Sequence, residues 1–433
     1  MSSTVSTTQV VRPARTVRGS VRLPGDKSIS HRYAMLAGLA HGTSTFANFS
    51  TGADPHSSLA CMEALGARVV KQADGTIAVT GVGGTFGQPA GDLDCGNSGS
   101  TMRMLAGLVA PHPGTYTFVG DASLTKRPMQ RIKGPLEQMG ARVELTDGHA
   151  PVTVHGGPLQ GIDFSAPIAS AQVKTAVLFA GLGANGTTTL QEAVRTRDHS
   201  EHALRAFGVE LERGRDSISI RGGQQLQAVQ ATVPGDLSSA AFFLCATLLF
   251  PDAQLVLDDM GMNPSRSALL DVLVSMGLKL QVLNLEEKHG ELIGTVQANG
   301  APVLKGAEIT GDLPALLIDE LPVLAAIGPY TRDGVTIRNA KELRVKESDR
   351  IALVVQNLRA MGAEVEEFED GLHVPGGQTL HGGVINSADD HRIAMAFSIA
   401  ALRATGDTVI EGAQAAAISF PEFFNLLHSL TQE

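Results

Sequence analysis

Pro24-Gly25-Asp26-Lys27-Ser28 and Pro234-Gly235-Asp236-Leu237-Ser238 are two copies of one junction, each leading into an Ala-rich apolar run. Outward from these junctions the same kind of segment recurs six times: a polar or charged start, an Ala-rich helix, a Gly or Pro break, then a short strand. The starts fall at Ser28, Ser98, Ser170, Ser238, Asp319 and Asp389, roughly 70 to 80 residues apart. Such a period predicts a fold assembled from copies of one repeat. It also says where chemistry belongs. Helices this apolar would be buried along their length, so their polar beginnings, with unsatisfied backbone N–H groups, are the places to search.

A second series interleaves with the first. Leu65-Gly66-Ala67-Arg68-Val69, Met139-Gly140-Ala141-Arg142-Val143, Phe207-Gly208-Val209-Glu210-Leu211, Met276-Gly277-Leu278-Lys279-Leu280 and Met361-Gly362-Ala363-Glu364-Val365 each read as a helix end, a glycine and a strand. Ile351, Val354, Leu358 and Met361 form the apolar stripe of the last of these helices. A sixth copy would follow Phe420-Pro421-Glu422. Two helices and several short strands per repeat make the fold class α/β.

The paired Pro-Gly-Asp junctions predict a discontinuous pair of domains with three repeats in each. One covers 25–236. The other joins 1–24 to 237–433, with hinges near 24–27 and 234–237. Helix N-termini pointing into the gap between two such halves would make it electropositive without a basic protein, and so suited to phosphorylated, carboxylated small molecules.

Composition narrows the function further. The chain has 433 residues, 43% hydrophobic and 18% charged, with a net charge of −10, no Trp and three Tyr. The acidic balance and scarce aromatics argue against a nucleic-acid partner. Cys61, Cys95 and Cys245 lack ligand-like spacing, which predicts free thiols in a reducing compartment and no zinc site. The run Ala240–Phe250 is far short of the ~20 residues that span a bilayer. Met1–Gln9 has no apolar stretch of the signal-peptide kind and reads as a loose tail. The expectation is a cytoplasmic protein with no membrane partner.

Several starts carry candidate anion ligands. Ser28 would cap its helix with Arg32 one turn along; Lys27 beside it is either part of an oxyanion site or a solvated neighbour. Asn97-Ser98-Gly99-Ser100-Thr101 allows close backbone approach at Gly99, and Arg103 is a ligand or a core-facing ion pair. It has neither dinucleotide nor phosphate-loop spacing. Lys126-Arg127-Pro128 precedes a helix with Pro128 at its first position, where two cations oppose the dipole unless an anion sits between them. Ser170-Ala171-Gln172 with Lys174 is a plain cap or a hydroxyl- and phosphate-binding group. Lys341 to Arg350 is a mixed charge run, a solvated helix start or a site. Its company, Asp319-Glu320 and Asp389-Asp390-His391-Arg392, favours carboxylates tuned for proton transfer beside guanidinium clamps.

These segments together resemble the 5-enolpyruvylshikimate-3-phosphate synthases of the enolpyruvyl transferase family. The resemblance rests on Leu23 to Arg32, Gly96 to Gly99, Asp121 to Met129, Arg197 to Glu201, Leu343 to Arg350 and Asp390 to Met395. It runs from about residue 20 to the end, and Ser170 to Lys174 with Arg197-Asp198-His199 is similar to the class II branch. The resemblance implies two inside-out α/β domains, each of three βαβαββ repeats. It implies transfer of the enolpyruvyl group of phosphoenolpyruvate to the 5-hydroxyl of shikimate 3-phosphate, releasing phosphate, by addition then elimination. This is a shikimate-pathway step toward aromatic amino acids, with no metal or organic cofactor, in a monomer.

By match of motif, Lys27, Asp319 and Glu347 would be the catalytic residues. Lys27, Ser28, Arg32, Ser170, Gln172, Arg197, Asp319 and Lys346 would bind shikimate 3-phosphate. Lys27, Gly99, Arg127, Gln172, Arg350 and Arg392 would bind phosphoenolpyruvate. There are two departures to note. Ile418 stands where some members carry Lys before Thr-Phe-Pro, so that role is unassigned. Gly99 is the residue type expected of a glyphosate-sensitive enzyme, and Ala there would crowd the inhibitor. One alternative is the related transferase acting on UDP-N-acetylglucosamine, whose loop Cys has no counterpart in Gly120-Asp121-Ala122-Ser123. The other is a non-catalytic anion-binding protein on the same fold.

Overall fold

A computed structural model describes residues 7–432. Each of the six starts leads into a helix: Lys27–Leu39, Gly99–Val109, Ala171–Leu182, Leu237–Leu248, Leu321–Ala326 and His391–Ala401. In five of them a side chain one residue before the helix accepts a backbone N–H of the first turn. The caps are Asp26, Ser98, Ser170, Asp236 and Asp390. The sixth helix, with Pro322 near its start, has no side-chain cap.

The caps correct three expectations. Asp26, not Ser28, caps the first helix, accepting from the Ile29 N–H at 3.0 Å. The carboxylate of each Pro-Gly-Asp junction thus outcompetes the hydroxyl two residues on, since a charged acceptor makes the stronger bond to an orphan N–H. Asp390, not Asp389, caps the last helix, and Asp389 sits in left-handed backbone (φ 56°) just before it. Pro128 is not the first residue of its helix, which begins at Gln130. Of the expected tail, residues 1–6 lie outside the described residues, whereas Thr8–Val11 is a strand paired antiparallel with Thr408–Glu411.

The interleaved helices are Ala53–Ala64, Gln130–Gln138, His199–Ala206, Ala268–Met276, Arg350–Ala360 and Phe423–Leu430. Gly66 (φ 103°) and Gly362 (φ 88°) follow two of them in the left-handed region, as the sequence predicts. The stripe Ile351, Val354, Leu358 and Met361 is buried.

The chain divides into two compact units. One holds Gly25–Val233 with Glu287–Glu291; the other holds the chain up to Pro24, Pro234–Glu286 and Leu292 onward. Each unit has its own apolar core. Among the described residues there are six small sheets, three within each unit. Each contains a parallel pair extended by an antiparallel strand, as in Leu93–Asp94 beside Gly114–Val119 beside His149–Gly156. The strand before each Pro-Gly-Asp junction pairs within the unit the chain is leaving. Thr16–Arg22 lies parallel to Gln254–Gly261, and Gln230–Thr232 lies parallel to Thr43–Ala47. Gly25 is required at the first junction, because a Cβ there would lie 1.8 Å from the Asn48 carbonyl oxygen.

The Ala-rich helices are interior. In Leu237–Leu248 and His391–Ala401 every residue is buried, the mark of a helix apolar on all sides. Sheet strands alternate instead: Tyr116 and Phe118 are buried, while Thr115 and Thr117 are not. The structure is thus α/β with helices inside and sheets around them. The three cysteines are free and buried. Among the described residues no helix is long and apolar enough to cross a membrane.

Small residues let the interior helices approach. A Cβ on Gly107 would lie 2.1 Å from the Ala176 carbonyl oxygen on the neighbouring helix. Gly107→Ala is therefore expected to force the two helices apart and destabilise the protein by about 1–3 kcal/mol, read as a lower denaturant midpoint.

Candidate active site

In the unit containing residues 25–233, the first two turns of the Lys27–Leu39 helix carry three candidates. Lys27 Nζ lies 3.1 Å from the Asp54 carboxylate, on the helix Ala53–Ala64. Arg32 is buried, and its guanidinium donates to Ser200 Oγ at 2.7 Å, Thr175 Oγ1 at 2.8 Å and the Ser28 carbonyl at 2.8 Å. Burial lowers the Arg32 pKa to about 10, opposed by the nearby Glu201 and Asp26 carboxylates, so the group stays charged at neutral pH. Ser28 is half-buried, and its carbonyl helps to seat Arg32.

Around the second start, Arg127 is buried and donates to Asn97 Oδ1 at 2.7 Å and Ser123 Oγ at 3.3 Å. Gly99 faces it: a Cβ there would lie 2.8 Å from Arg103 Nη1 and 3.5 Å from Arg127 Nη1. Arg103 donates to Gln172 Oε1 at 2.8 Å and to the Pro128 carbonyl at 3.0 Å. Gln172 in turn donates to Ser100 Oγ at 2.9 Å. The structure thus brings Gly99, Arg127 and Gln172 together.

Ser170 is a helix cap, accepting from the Val173 N–H. Lys174 turns away from the candidate ligands. It is buried between Glu192 Oε2 at 3.1 Å and Glu201 Oε1 at 3.0 Å, and it donates to the Thr196 carbonyl at 3.2 Å. Its role is to hold the segment that ends in Arg197, whose side chain is half-buried.

In the other unit the charge run of the sequence splits in two. Lys341–Val345 is a short 3₁₀ turn, and Arg344 is structural, donating to Asp349 at 2.8 Å and to the Glu369 and Phe368 carbonyls. The second half gathers around Arg350, whose side chain is 1% exposed. It hydrogen-bonds Asp390 Oδ2 at 2.8 Å and forms ion pairs with Glu347 Oε2 at 2.7 Å and Asp319 Oδ1 at 3.7 Å. Asp390 is fully buried, whereas Asp319 and Glu347 keep 21% and 17% exposure. Arg350 thus has one carboxylate behind it and two that reach solvent.

Burial alone would push the Asp390 carboxyl up, but Arg350 overcomes it and holds the group below the usual carboxylate range. Burial opposes charge on Arg350 too, yet Asp390, Glu347 and Asp319 raise its pKa above that of a free guanidinium. Burial lowers the half-buried Lys346 ammonium, with Asp319 and Glu347 opposing that shift. Arg392 is buried with its guanidinium carbon 5.9 Å from the centroid of the Phe242 ring.

The sequence did not single out Asp390 as the partner of Arg350, Asp54 as that of Lys27, or Arg103 as that of Gln172. Each pair joins separate segments, 40, 27 and 69 residues apart, and no local spacing announces it.

Asp390→Asn would leave the Arg350 charge buried with a weaker partner behind it. At pH 7 the variant should unfold about 3–5 kcal/mol more easily. The native carboxyl titrates lower folded than unfolded, so its contribution is full above the unfolded value of about 4 and fades as pH falls further. The gap between wild type and variant should therefore narrow in acid, measured by denaturant titration at pH 7 and below pH 4.

Known proteins resemble this chain over nearly its whole length. Residues 11–427 match the family model for EPSP synthase (3-phosphoshikimate 1-carboxyvinyltransferase). The chain is 61% identical over 422 residues to the 3-phosphoshikimate 1-carboxyvinyltransferase of Koribacter versatilis, covering 98% of this chain and 99% of that one. It is 51% identical over 425 residues to the protein of that name from Solibacter usitatus, with the same coverage. The solved EPSP synthase from Acinetobacter baumannii superposes with a TM-score of 0.86 at 38% identity, covering 98% of both chains. The enolpyruvyl transferase NikO from Streptomyces tendae shares the fold, at a TM-score of 0.78 and 20% identity over 97% of this chain and 96% of that one. The match over nearly the whole length makes this chain a member of the EPSP synthase family, with the two-domain enolpyruvyl transferase fold.

Proposed function

We propose that this protein transfers the carboxyvinyl group of phosphoenolpyruvate to the 5-hydroxyl of shikimate 3-phosphate, releasing phosphate, in the shikimate pathway of aromatic amino-acid biosynthesis. Two partly exposed carboxylates beside a buried, fully charged guanidinium carry this reading. The chemistry needs both kinds of group. Addition joins the 5-oxygen to C2 of phosphoenolpyruvate as that hydroxyl loses a proton and the methylene carbon gains one. Elimination returns a methyl proton to a base as the C2–O bond to phosphate breaks.

Arg127, Arg350 and Arg392 would clamp phosphoenolpyruvate, with Gly99 close against it and Lys27 and Gln172 meeting both substrates. Ser28, Arg32, Ser170, Arg197, Lys346 and Asp319 would bind shikimate 3-phosphate. Glu347 and Asp319 are the proton-transfer groups, with Lys27 as a further acid–base candidate. An anion arriving at Arg350 competes with Glu347 for the guanidinium. That competition raises the proton affinity of the carboxylate and turns it into an acid at the moment an acid is needed. The monomeric state, the cytoplasmic location and the absence of a cofactor belong to the same proposal.

Phosphate release measured with phosphoenolpyruvate plus shikimate 3-phosphate, plus UDP-N-acetylglucosamine, or with neither acceptor separates the three activities considered. Only the first mixture should turn over. Glu347→Gln keeps the shape and loses the proton; it should lower kcat by about 10²- to 10⁴-fold. Full turnover in that variant would remove the residue from the mechanism.

Glyphosate should inhibit in competition with phosphoenolpyruvate. Gly99→Ala should raise its inhibition constant, because the added Cβ meets the Arg103 guanidinium at 2.8 Å and narrows the space before Arg127. Equal inhibition constants for the two enzymes would sink this account.

A further inference from the structure

We propose that Arg103 is a positioning residue: it sets the side-chain amide of Gln172 and the segment carrying Arg127, and it acts on phosphoenolpyruvate only through them. This rests on the reading that Gln172 and Arg127 meet that substrate.

A guanidinium only donates, and its planar fork fixes two donors at a set separation and direction. Arg103 uses one arm on Gln172 Oε1 at 2.8 Å and the other on the Pro128 carbonyl at 3.0 Å. The first bond orients the amide. With its oxygen turned to Arg103, its nitrogen must face Ser100, to which it donates at 2.9 Å. One lone pair and one N–H of Gln172 are thereby left aimed in fixed directions, ready for a ligand that offers a donor and an acceptor. The second bond holds the carbonyl directly after Arg127, and so limits rotation of the residue that would clamp the phosphate or carboxylate.

Helix Gly99–Val109 supplies the seat. Arg103 lies one turn after Gly99, and a Cβ at 99 would be 2.8 Å from Nη1, so the missing side chain is what admits the guanidinium. Three segments distant in sequence, at 99–103, 127–128 and 172, are thus tied by one side chain.

A double-mutant cycle on the full-length enzyme tests this, with phosphoenolpyruvate varied at saturating shikimate 3-phosphate and thermal midpoints recorded alongside. Arg103→Met should raise KM for phosphoenolpyruvate roughly ten- to hundredfold. Arg103→Lys, which reaches one acceptor but not both, should recover part of that loss. Combined with Gln172→Ala, Arg103→Met should lose much less in kcat/KM than the product of the two single losses. A double loss equal to the product overturns the proposal, as does an Arg103→Met effect confined to kcat, which a smaller folded fraction would produce. An unchanged KM for phosphoenolpyruvate in Gln172→Ala removes the underlying reading and the proposal together, and that outcome is distinct from the other two.

Discussion

Helices buried along nearly every residue, such as Leu237–Leu248 and His391–Ala401, can meet a ligand only at their ends. The rest of the site follows from that constraint. A buried helix end must satisfy its orphan N–H groups, and five of the six do so with an Asp or Ser at the cap. Once the cap is settled, the first-turn side chains are the only polar groups that need not be satisfied by the core. Lys27, Arg32, Gly99, Gln172 and Arg392 all occupy such first-turn or adjacent positions. The fold thus confines polar chemistry to a few residues per repeat and leaves the remainder to packing.

Buried positive charge at the candidate site is then handled in two ways. Arg32 bonds two hydroxyls and a carbonyl, Arg127 an amide and a hydroxyl, and Arg103 an amide and a carbonyl. Neutral acceptors orient these guanidinium groups, and burial lowers the Arg32 pKa to about 10 against the opposing Glu201 and Asp26 carboxylates. Arg350 is handled oppositely. Asp390 neutralises it from behind, and Glu347 and Asp319 add negative charge in front. Surplus carboxylate around a fixed cation sets proton-exchanging groups beside the guanidinium that would meet the anion. The first arrangement suits binding alone, and the second joins binding to acid–base work.

The repeat, the α/β class, the interior Ala-rich helices and the glycine after five of the interleaved helices could be read directly, because each is a local pattern with a local cause. What misled was competition between equally local options. Asp26 and Ser28 are both good caps, and only geometry decides for the carboxylate. Thr8 and Gln9 read as the end of a loose tail until the strand Thr408–Glu411, four hundred residues away, supplies the pairing for Thr8–Val11. Lys174 looked like a ligand because it follows Gln172, but a helix turns two residues by about 200° and points it into the core. The bonds that arrange the site, Arg350 with Asp390 and Arg103 with Gln172, have no sequence signature at all. They depend on which helices the core brings side by side.

The two Pro-Gly-Asp junctions with which the sequence declares its repeat show how such a fold diverges. Asp26 and Asp236 both cap with the side-chain carboxylate, on the Ile29 and Ser238 N–H groups, and open the same kind of helix. Six residues beyond each, however, stand Arg32 in one unit and Phe242 in the other. The guanidinium needs hydroxyl partners from neighbouring helices and finds them in Thr175 and Ser200. The ring needs none, and it offers its face to a cation carried by a different helix, Arg392. A position that supplies charge in one copy supports charge in the other, so duplication of an apolar scaffold yields two unlike polar surfaces without altering the packing that both copies share.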